Sequence, residues 1–419
     1  MSLIVQKFGG TSVANPEKIK AVAARVLGYV KKGHRVVVVL SAMAGETNRL
    51  VALAQQMQDQ PDTREMDVLL SSGEQVTVAL FAMAVKEAGY DAVSLLGDQV
   101  KIITDAMHTK ARIKSIDTGL VTRNLDQGRV VVVAGFQGVT EAADITTLGR
   151  GGSDTTAVAL AAALKADECE IYTDVEGVYT TDPNVCANAR KIDRISYDEM
   201  LELASLGAKV LDIRSVGFAK RYKVPVHVRS TFTKTQGTMV VEEDKNMESM
   251  LVSGVTYSKN EARITLSKVP DVPGVASKIF TPISEAGIVV DMIIQNTRAG
   301  EMTDMTFTVP RPDYKRAMGI VSGIVSGIGA GDVTGSEQIA KVSIVGVGMR
   351  NHSGIATTMF RLLAQEGINI QMISTSEIKI SCVIDEKYTE LAVRTLHDGF
   401  GLHQVGKPAK GKATACKKK

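Results

Sequence analysis

The sequence predicts a protein of the α/β class, in which a three-layer α/β/α domain is followed by a duplicated α+β unit. Two observations predict this class. Short β-branched runs alternate with helix-length segments over roughly the first 230 residues, and the second half contains an internal repeat. A chain of 419 residues is also too long for one ordinary hydrophobic core, so two or three domains are expected.

The first domain begins with the predicted strand "LIVQKF", which precedes a helix that Asn15 caps and Pro16 begins. Further strands are predicted at "HRVVVVLSA", "DAVSLLG", "RVVVVAGF" and "ECEIYTDV", and helix-length segments separate them. Runs such as "RVVVV" are apolar on both faces, which is typical of buried parallel strands covered by helices. The pattern therefore predicts helices on both sides of a parallel sheet.

The repeat aligns Gly274 to Ile293 without a gap on Gly354 to Ile373, 80 positions later. Each copy reads as strand, loop, amphipathic helix and strand, so two small β-α-β units are expected to pair side by side. The junction "VVEEDKNMESMLVSG" is polar and suits a domain boundary. We therefore expect a first domain at 1–245, the repeated domains at 246–405 and a basic, flexible tail at 406–419.

Composition excludes several classes of protein. The net charge is only +3, and much of it comes from the tail "KPAKGKATACKKK", which argues against a nucleic-acid binder with a basic surface. Cys169, Cys186, Cys382 and Cys416 are scattered, without a C-x-x-C pair or a histidine at zinc spacing, so reduced thiols and no metal site are expected. We find no signal-like segment and no apolar run of the about 20 residues that a membrane span needs.

The stretch "KFGGTS" is a candidate phosphate site at the end of the first strand. Gly9 and Gly10 let the backbone approach a ligand and present N–H groups to an anion, and Lys7 adds a positive charge. A tight turn beside an exposed lysine explains the same residues equally well. Neither G-x-x-x-x-G-K-[ST] nor G-x-G-x-x-G occurs, so any phosphate site uses another fold.

The stretch "GRGGSDTTA" precedes an alanine-rich helix. Gly151, Gly152 and Ser153 suggest an anion site at its N-terminus, with Ser153 as the cap. Arg150 has small neighbours and room to bind a carboxylate with both arms of its guanidinium. Asp154 alone indicates only a favourable interaction with the helix dipole, but beside Arg150 it favours a role in the site.

Glu74 is placed at the mouth of an otherwise apolar helix, where an unpaired carboxylate is costly, so it is expected to meet a cation. That cation is either a lysine of the protein or the ammonium group of a substrate. The second alternative suits an amino acid whose carboxylate binds Arg150.

In "YTDVEGVYTTDP", Thr173 and Asp174 end a strand, and ligands of open α/β sheets bind at the carboxyl ends of strands. Tyr179, with the turn at Asp182 and Pro183, either walls a nucleobase pocket or forms an ordinary loop.

Together, "KFGGTSV", "LSAMAGETN", "GEQ", "GRGGSDTTA" and "TDVEGVYTTDP" resemble, in order and spacing, the aspartate kinases of the amino-acid kinase superfamily. The repeat resembles the pair of ACT domains in these enzymes, and the resemblance covers nearly the whole chain except the tail. It implies a cytoplasmic enzyme that uses ATP and Mg²⁺ to convert the side-chain carboxylate of L-aspartate into 4-phospho-L-aspartate, the first step toward lysine, threonine and methionine.

The resemblance also implies site residues. It places at the ATP Lys7, Phe8, Gly9, Gly10, Ser41, Thr173, Asp174, Tyr179, Asp182, Pro183 and Lys209. It places at the aspartate Thr47, Glu74, Arg150, Gly151, Gly152 and Ser153. Asp154 orients and balances Lys7 at the transferring phosphoryl group. A carboxylate nucleophile is already ionised at neutral pH, so no general base is required and no catalytic histidine is expected.

For the ACT pair, the resemblance implies feedback inhibition by lysine, threonine or both. The implied effector residues are Asp271, Ala276, Asp291, Gln295, Ile355, Ala356, Asn369, Ile370, Ser376 and Glu377. Relatives often have threonine where this chain has Ala356. A dimerisation module without an effector remains an alternative. The family also implies a homo-oligomer formed through the ACT domains, together with a shorter subunit that Met247 or Met250 could start.

Two further alternatives concern the first domain. An amino-acid sensor with a decayed kinase half would have lost Lys7, Arg150 or Asp154, and all three are present. A kinase for another acidic substrate is less favoured, because Glu74 together with Arg150 suits a free α-amino acid rather than an N-acylated one.

Overall fold

The computed structural model describes residues 1–207, 210–244, 251–298 and 302–404. Lys209, Met247, Met250 and the predicted tail lie outside the described residues. The chain divides into two compact units. The first comprises Met1–Tyr179 and Lys191–Met247, and the second comprises Thr180–Arg190 and Glu248–Lys419. Both units combine helices and sheets, as the sequence predicts, and the short segment Thr180–Arg190 groups with the second unit.

The strands of the first unit form two sheets. In chain order they are β1 (Leu3–Phe8), β2 (Arg35–Leu40), β3 (Ala92–Leu95), β4 (Ile102–Thr104), β5 (Ile113–Ile116), β6 (Val130–Ala134), β7 (Gln137–Val139), β8 (Ile145–Thr147), β9 (Glu168–Thr173), β10 (Arg194–Ser196), β11 (Val226–Ser230) and β12 (Thr238–Val241). The main sheet has the order β10-β12-β11-β9-β1-β2-β6-β3, and β5-β4-β7-β8 form a smaller sheet. Within the main sheet, only the β11 and β12 pair is antiparallel.

The helices of the first unit are α1 (Pro16–Val30), α2 (Glu46–Met57), α3 (Thr63–Glu87), α4 (Gly119–Asp126), α5 (Gly152–Leu164), α6 (Tyr197–Ser205) and α7 (Ile213–Tyr222). The predicted start of α1 is confirmed, because the Asn15 side chain accepts a hydrogen bond from the Lys18 backbone N–H at 2.9 Å and Pro16 is the first helical residue.

The core lies where α1 and α3 pack on the sheet. Val36 to Leu40 of β2 are all buried, as are all five residues of β6. This burial on both faces agrees with the continuous apolar runs in the sequence. The rings of Phe8 and Tyr172 stack with centroids 4.5 Å apart, and neither side chain is exposed.

Helix α3 is long and apolar enough, by length and composition alone, to span a membrane, with a mean hydropathy of 1.6 in its most apolar window. We had expected no such segment. The structure explains the composition, because Val78, Phe81 and Val85 of α3 are core residues of the first unit. The helix also carries two carboxylates that are buried within this unit, Asp67 and Glu74.

The second unit contains one continuous six-stranded sheet. Its strands are β13 (Gly254–Pro270), β14 (Ile293–Arg298), β15 (Met302–Pro310), β16 (Val333–Val345), β17 (Met372–Thr375) and β18 (Lys379–Asp385), and its helices are α8 (Val275–Glu285), α9 (Tyr314–Ile328), α10 (Ile355–Gln365) and α11 (Thr389–Gly399). The order β14-β15-β13-β16-β18-β17 is antiparallel throughout. The two copies of the repeat therefore join edge to edge through β13 and β16.

The repeat is visible in equivalent turns of the backbone. Gly274 and Gly354 precede α8 and α10 with φ angles of +90° and +94°, a left-handed conformation that favours glycine. The predicted duplication of a strand-helix-strand unit is thus confirmed at the residues that first revealed it.

Candidate active site

An open pocket lies in the first unit at the carboxyl ends of the parallel strands. Its walls come from the segments after β1 and β2, from the middle of α3, and from the loop that leads into α5. The lining residues are Lys7, Gly9, Gly10, Thr11, Ser41, Ala42, Met43, Ala44, Gly45, Thr47, Glu74, Phe136, Gly149, Arg150, Gly151, Gly152, Ser153 and Asp154. Segments far apart in sequence therefore meet at one edge of the sheet, as ligand sites of such sheets do.

Lys7 and Asp154, which both line this pocket, form an ion pair. The Lys7 Nζ lies 2.6 Å from Asp154 Oδ1, and each side chain is only 12% exposed. Asp154 is in the first turn of α5, as predicted, so its carboxylate lies at the positive end of the helix dipole. The ammonium group of Lys7 is thus held in place before any ligand arrives.

The glycines after β1 allow a close approach of two loops. A Cβ on Gly10 would lie 2.8 Å from the carbonyl oxygen of Ala42, which is backbone and cannot move aside easily. A Cβ on Gly9 would lie 3.4 Å from the Nζ of Lys7. The glycine pair therefore brings the backbone and the lysine to the same point, which favours the phosphate site over a simple turn.

The N-terminus of α5 differs in one detail from the prediction. Gly151 caps the helix in a left-handed conformation with φ of +72°, and Ser153 lies inside the first turn, so the expected serine cap is wrong. Glycine is required there because a Cβ on Gly151 would lie 2.3 Å from the side chain of Asp212. The helix begins at Gly152, earlier than its alanine-rich pattern suggests.

Glu74 is in the middle of α3 rather than at its mouth, because the helix begins already at Thr63. Its side chain is almost fully buried, and Oε1 accepts a hydrogen bond from the Ala42 backbone N–H at 3.0 Å. Oε2 is buried and has no hydrogen-bond partner among the described residues. Burial raises the pKa of Glu74 to about 7. Among the described residues, no lysine forms an ion pair with Glu74.

Arg150, Thr47 and Ser41 complete the polar lining. Arg150 is exposed in the loop before α5, and Thr47 is in the first turn of α2. The pocket therefore offers an arginine and an unpartnered carboxylate, which are complementary to the two charged groups of a free amino acid.

The predicted nucleotide residues lie in several places. Thr173 and Asp174 follow β9, and the Thr173 Oγ1 lies 3.0 Å from Asp174 Oδ1. Tyr179 Oη donates to Glu176 at 3.4 Å. The side chain of Phe8 is completely buried, so a nucleotide could reach only its main chain.

Two other predicted nucleotide residues, Asp182 and Pro183, belong to the second unit. There, Asp182 accepts hydrogen bonds from the backbone N–H of Asn184 at 2.9 Å and from Tyr257 Oη at 3.3 Å. Pattern reasoning had placed both residues in the catalytic domain because they follow the strand-end motif directly.

Two of the residues that sequence reasoning missed pack on the start of α5. Phe136 has a positive φ of 68°, and its ring packs against Gly152. Asp212 caps α7 and packs on Gly151. Burial, together with the nearby charge of Asp154, raises the pKa of Asp212. In the sequence, only the glycine beside Phe136 and the position of Asp212 before a helical run could have indicated these two residues. Both features are also common in proteins without a ligand site.

The predicted effector residues lie in the second unit. Lys341 Nζ forms ion pairs with Asp291 and with Glu261, the latter at 2.9 Å. Gln295 Nε2 donates to Asp271 at 3.4 Å. Most of the others lie at the start of a helix or in the connection after it, namely Ala276, Ile355, Ala356, Asn369 and Ile370. Ser376 and Glu377 lie in the turn between β17 and β18.

Two clusters in the described chain have metal-ligand atoms close together, although the sequence suggested none. In one of them Glu168 is already bound to His227 at 2.6 Å, and its third member, Glu170, is paired with Arg229. In the other, Cys186 Sγ lies 3.5 Å from His397 Nδ1, and Asp398 is adjacent. Motifs with metal-ligand spacing do not reveal this contact, because Cys186 and His397 are far apart in sequence.

Comparison with known families agrees with this architecture. The model of the amino acid kinase family matches residues 2–230, and two ACT-domain models match residues 263–323 and 342–400. The fold and the site thus define an amino acid kinase that carries two ACT domains.

Comparison with similar proteins identifies the family within the amino acid kinases. The chain is 58% identical over 403 residues to an aspartate kinase of Stutzerimonas stutzeri, covering 96% of this chain and 98% of that protein. It is 58% identical over 404 residues to an aspartokinase of Pseudomonas aeruginosa, with the same coverage. The chain belongs to the aspartate kinase family.

A solved structure shares the whole architecture. E. coli aspartokinase III in complex with aspartate and ADP, in its R-state, is 27% identical, with a TM-score of 0.79, 95% of this chain covered and 99% of that one. Its T-state complex with lysine and aspartate is 28% identical, with a TM-score of 0.76, 95% of this chain covered and 99% of that one.

Proposed function

We propose that the chain transfers the γ-phosphoryl group of ATP to the side-chain carboxylate of L-aspartate. The observation that carries the substrate assignment is the buried, unpartnered Oε2 of Glu74 in a pocket that also contains Arg150 and Lys7. A buried carboxylate without a partner is costly, and the ammonium group of an amino acid would satisfy it.

In the proposed complex, Arg150 binds the α-carboxylate of aspartate and Glu74 binds its ammonium group. Thr47 and the main chain of residues 151–153 complete the contacts. The N-terminus of α5 adds backbone N–H groups and a positive dipole on the same side of the pocket. These contacts would hold the side-chain carboxylate of aspartate toward Lys7.

Phosphoryl transfer then requires alignment and charge neutralisation rather than a base, because the attacking carboxylate is already ionised. Lys7, which is paired with Asp154, would stabilise the negative charge of the transferring group. The glycines after β1 would present backbone N–H groups to the phosphates. Thr173, Asp174 and Tyr179, with Asp182, Pro183 and Lys209, are the proposed nucleotide contacts.

Mg²⁺ is part of this proposal. The ion prefers oxygen ligands, and the carboxylate of Asp154 is the acidic group among the pocket residues closest to Lys7, with one oxygen already in the ion pair. Asp154, as a carboxylate, would hold such an ion together with the phosphates of the nucleotide. When bound, the ion neutralises phosphate charge.

For the ACT pair, we propose that lysine inhibits the enzyme, in keeping with the likeness to the lysine-bound T-state of E. coli aspartokinase III. Threonine, alone or with lysine, is the second proposed effector. Inhibition requires that the effector bind a less active state more tightly than the active one. We further propose a cytoplasmic homo-oligomer that pairs through its ACT domains and a shorter subunit started at Met247 or Met250.

One experiment tests both the kinase activity and its inhibition through the ACT pair. It measures ATP consumption with L-aspartate and traps the acyl phosphate as a hydroxamate, with and without millimolar lysine plus threonine. Hydroxamate that depends on aspartate and is suppressed by the effectors is the expected result. Activity without suppression would leave a kinase whose ACT pair only assembles subunits. If no aspartate-dependent product forms, the substrate assignment is wrong, and acetylglutamate, glutamate and nucleotides become the acceptors to try.

A further inference from the structure

Asp67 is a fully buried carboxylate that the catalytic chemistry does not use. It lies on α3, seven residues before Glu74, and its side chain has no exposure to solvent. A buried carboxylate is costly unless its oxygens have hydrogen-bond partners, and this one has several. Thr147 Oγ1 donates to Oδ1 at 2.5 Å, the backbone N–H of Thr109 donates at 3.0 Å, and His108 Nδ1 lies 2.8 Å from Oδ2.

These partners lead to the segment that carries Arg150, which we call the arginine loop (residues 147–151). Thr147 is its first residue. Thr109 also packs on the loop, because a Cβ on Gly149 would lie 2.9 Å from the Thr109 carbonyl oxygen. The Ala111 backbone N–H donates to the Thr147 carbonyl at 2.9 Å. Asp67 therefore fixes both the loop itself and the segment on which it rests.

Arg214 holds the same two segments from the other side. Its Nη2 donates to the Ala111 carbonyl at 2.9 Å, and its Nη1 donates to the Leu148 carbonyl. Leu148 is buried, so the loop is held at a residue two positions before Arg150. The bidentate contact of a rigid guanidinium with two carbonyls defines the separation of the two segments.

Asp67, Thr147 and Arg214 are not among the residues that line the pocket in the described chain. Any effect that they have on the substrate is therefore indirect, and the hydrogen bonds described above connect them to the arginine loop. Leu148 anchors this loop in the core, but the residues on either side of Arg150 are glycines with positive φ angles, so the backbone next to the arginine has no side-chain packing.

We propose that Asp67 is a positioning residue that fixes the arginine loop through Thr147 and Thr109, and thereby sets the affinity for aspartate. The inference rests on the proposed role of Arg150 as the contact of the α-carboxylate. Two-armed recognition of a carboxylate depends on the plane and position of the guanidinium, so a small displacement of the loop weakens aspartate binding more than ATP binding.

The test uses a matched pair of substitutions at Thr147 in the full-length enzyme. Thr147→Val keeps the shape of the side chain but removes the hydroxyl that donates to Asp67, whereas Thr147→Ser keeps the hydroxyl. Asp67→Asn is the third variant, because its amide NH₂ would face the backbone N–H of Thr109, which lies 3.0 Å from both carboxylate oxygens. For each variant, KM for aspartate, KM for ATP, kcat and the melting temperature are measured beside the wild type.

We expect KM for aspartate to rise about tenfold in Thr147→Val and more in Asp67→Asn, since each loses a hydrogen bond to a buried charge. KM for ATP should stay within about twofold of the wild type. Thr147→Ser should have a KM for aspartate close to that of the wild type. A purely structural role would lower the melting temperature or the amount of active enzyme but leave KM for aspartate unchanged, and that result would overturn the proposal.

The controls separate this inference from the proposed function. A wild-type enzyme without aspartate-dependent activity contradicts the function itself. An active wild type whose Thr147→Val and Thr147→Ser variants have the same KM for aspartate contradicts only the role of Asp67. If Asp67→Asn does not fold, the comparison of Thr147→Val with Thr147→Ser still tests the role of Asp67.

Discussion

The charged groups of the pocket are compensated in two different ways, at the Lys7–Asp154 pair, which we call the transfer end, and at Glu74, which we call the substrate end. At the transfer end, Lys7 and Asp154 are paired at 2.6 Å, so the cation that we propose to face the phosphates is already fixed and its charge compensated. At the other end, Glu74 is buried with one oxygen unpaired, and its pKa is raised to about 7. Under the proposed function, the transfer end is preorganised, whereas the substrate end carries an electrostatic cost that the ammonium group of aspartate would relieve.

The largest effect is expected from removing the ammonium group of Lys7 from its ion pair with Asp154. Lys7→Met removes the ammonium group and should lower kcat about a thousandfold, the scale of losing a group that stabilises transition-state charge. KM for aspartate should change much less, because the ammonium of Lys7 is assigned to the transferring group. Steady-state kinetics check this, with circular dichroism to show that the variant folds.

Lys7→Arg is the matched control for this substitution, because it keeps the charge but changes its shape and reach. It should retain more activity than Lys7→Met. A loss confined to KM for aspartate in either variant would contradict the division of roles between the two ends.

The next largest effect is expected from removing the charge of Glu74. Glu74→Gln keeps the size of the side chain and an oxygen that can accept from the Ala42 N–H, but it removes the negative charge. KM for aspartate should rise about a hundredfold, since a buried charged hydrogen bond is lost. KM for ATP should stay nearly unchanged. Equal increases in both constants would show that Glu74 does not distinguish amino acid from nucleotide.

The pH dependence of KM for aspartate sharpens the same comparison. Glu74 must be ionised to bind an ammonium group, and with a pKa of about 7 it is largely protonated in the free enzyme at pH 6. KM for aspartate should therefore fall about tenfold between pH 6 and pH 8. The profile is measured at saturating ATP in wild type and Glu74→Gln. The variant should lack this dependence, and a wild-type profile that is flat would contradict the role of the carboxylate.

The two ends also differ in how far the sequence predicted them. Lys7 lies near the end of β1, and Gly9 and Gly10 follow that strand directly, so a short pattern was enough to suggest a phosphate site. Arg150 and Asp154 lie together at a helix start, where the same short-range reasoning applies. All of them line or border one pocket in the structure. The fold class and the duplication were likewise visible, because periodicity and self-similarity are properties of the chain itself.

Other features depend on contacts between distant residues, which a single sequence does not contain. Glu74 was recognised as a buried carboxylate, but its position inside a long helix and its contact with Ala42 required the fold. The serine cap was wrong because Gly151 must make room for Asp212, which is far away in sequence. The grouping of Thr180–Arg190 with the second unit has the same origin. The effector residues and domain boundaries remain predictions.

The smallest expected effect concerns stability without substrate. The pKa of Glu74 is raised in the folded state from its usual 4.5 to about 7. Its contribution to the free energy of unfolding is therefore fully present below pH 4.5 and is lost as the pH rises through about 7. Between pH 6 and pH 8 the wild type should lose roughly 1 kcal/mol that Glu74→Gln retains.

Thermal melting at both pH values measures this difference, and the variant should gain in melting temperature relative to the wild type as the pH rises. Added aspartate provides the control. It should stabilise the wild type at pH 8, because its ammonium group satisfies the carboxylate, and it should stabilise Glu74→Gln far less. Parallel changes in both proteins, with and without aspartate, would mean that Glu74 carries no uncompensated charge and that the contrast between the two ends of the pocket is wrong.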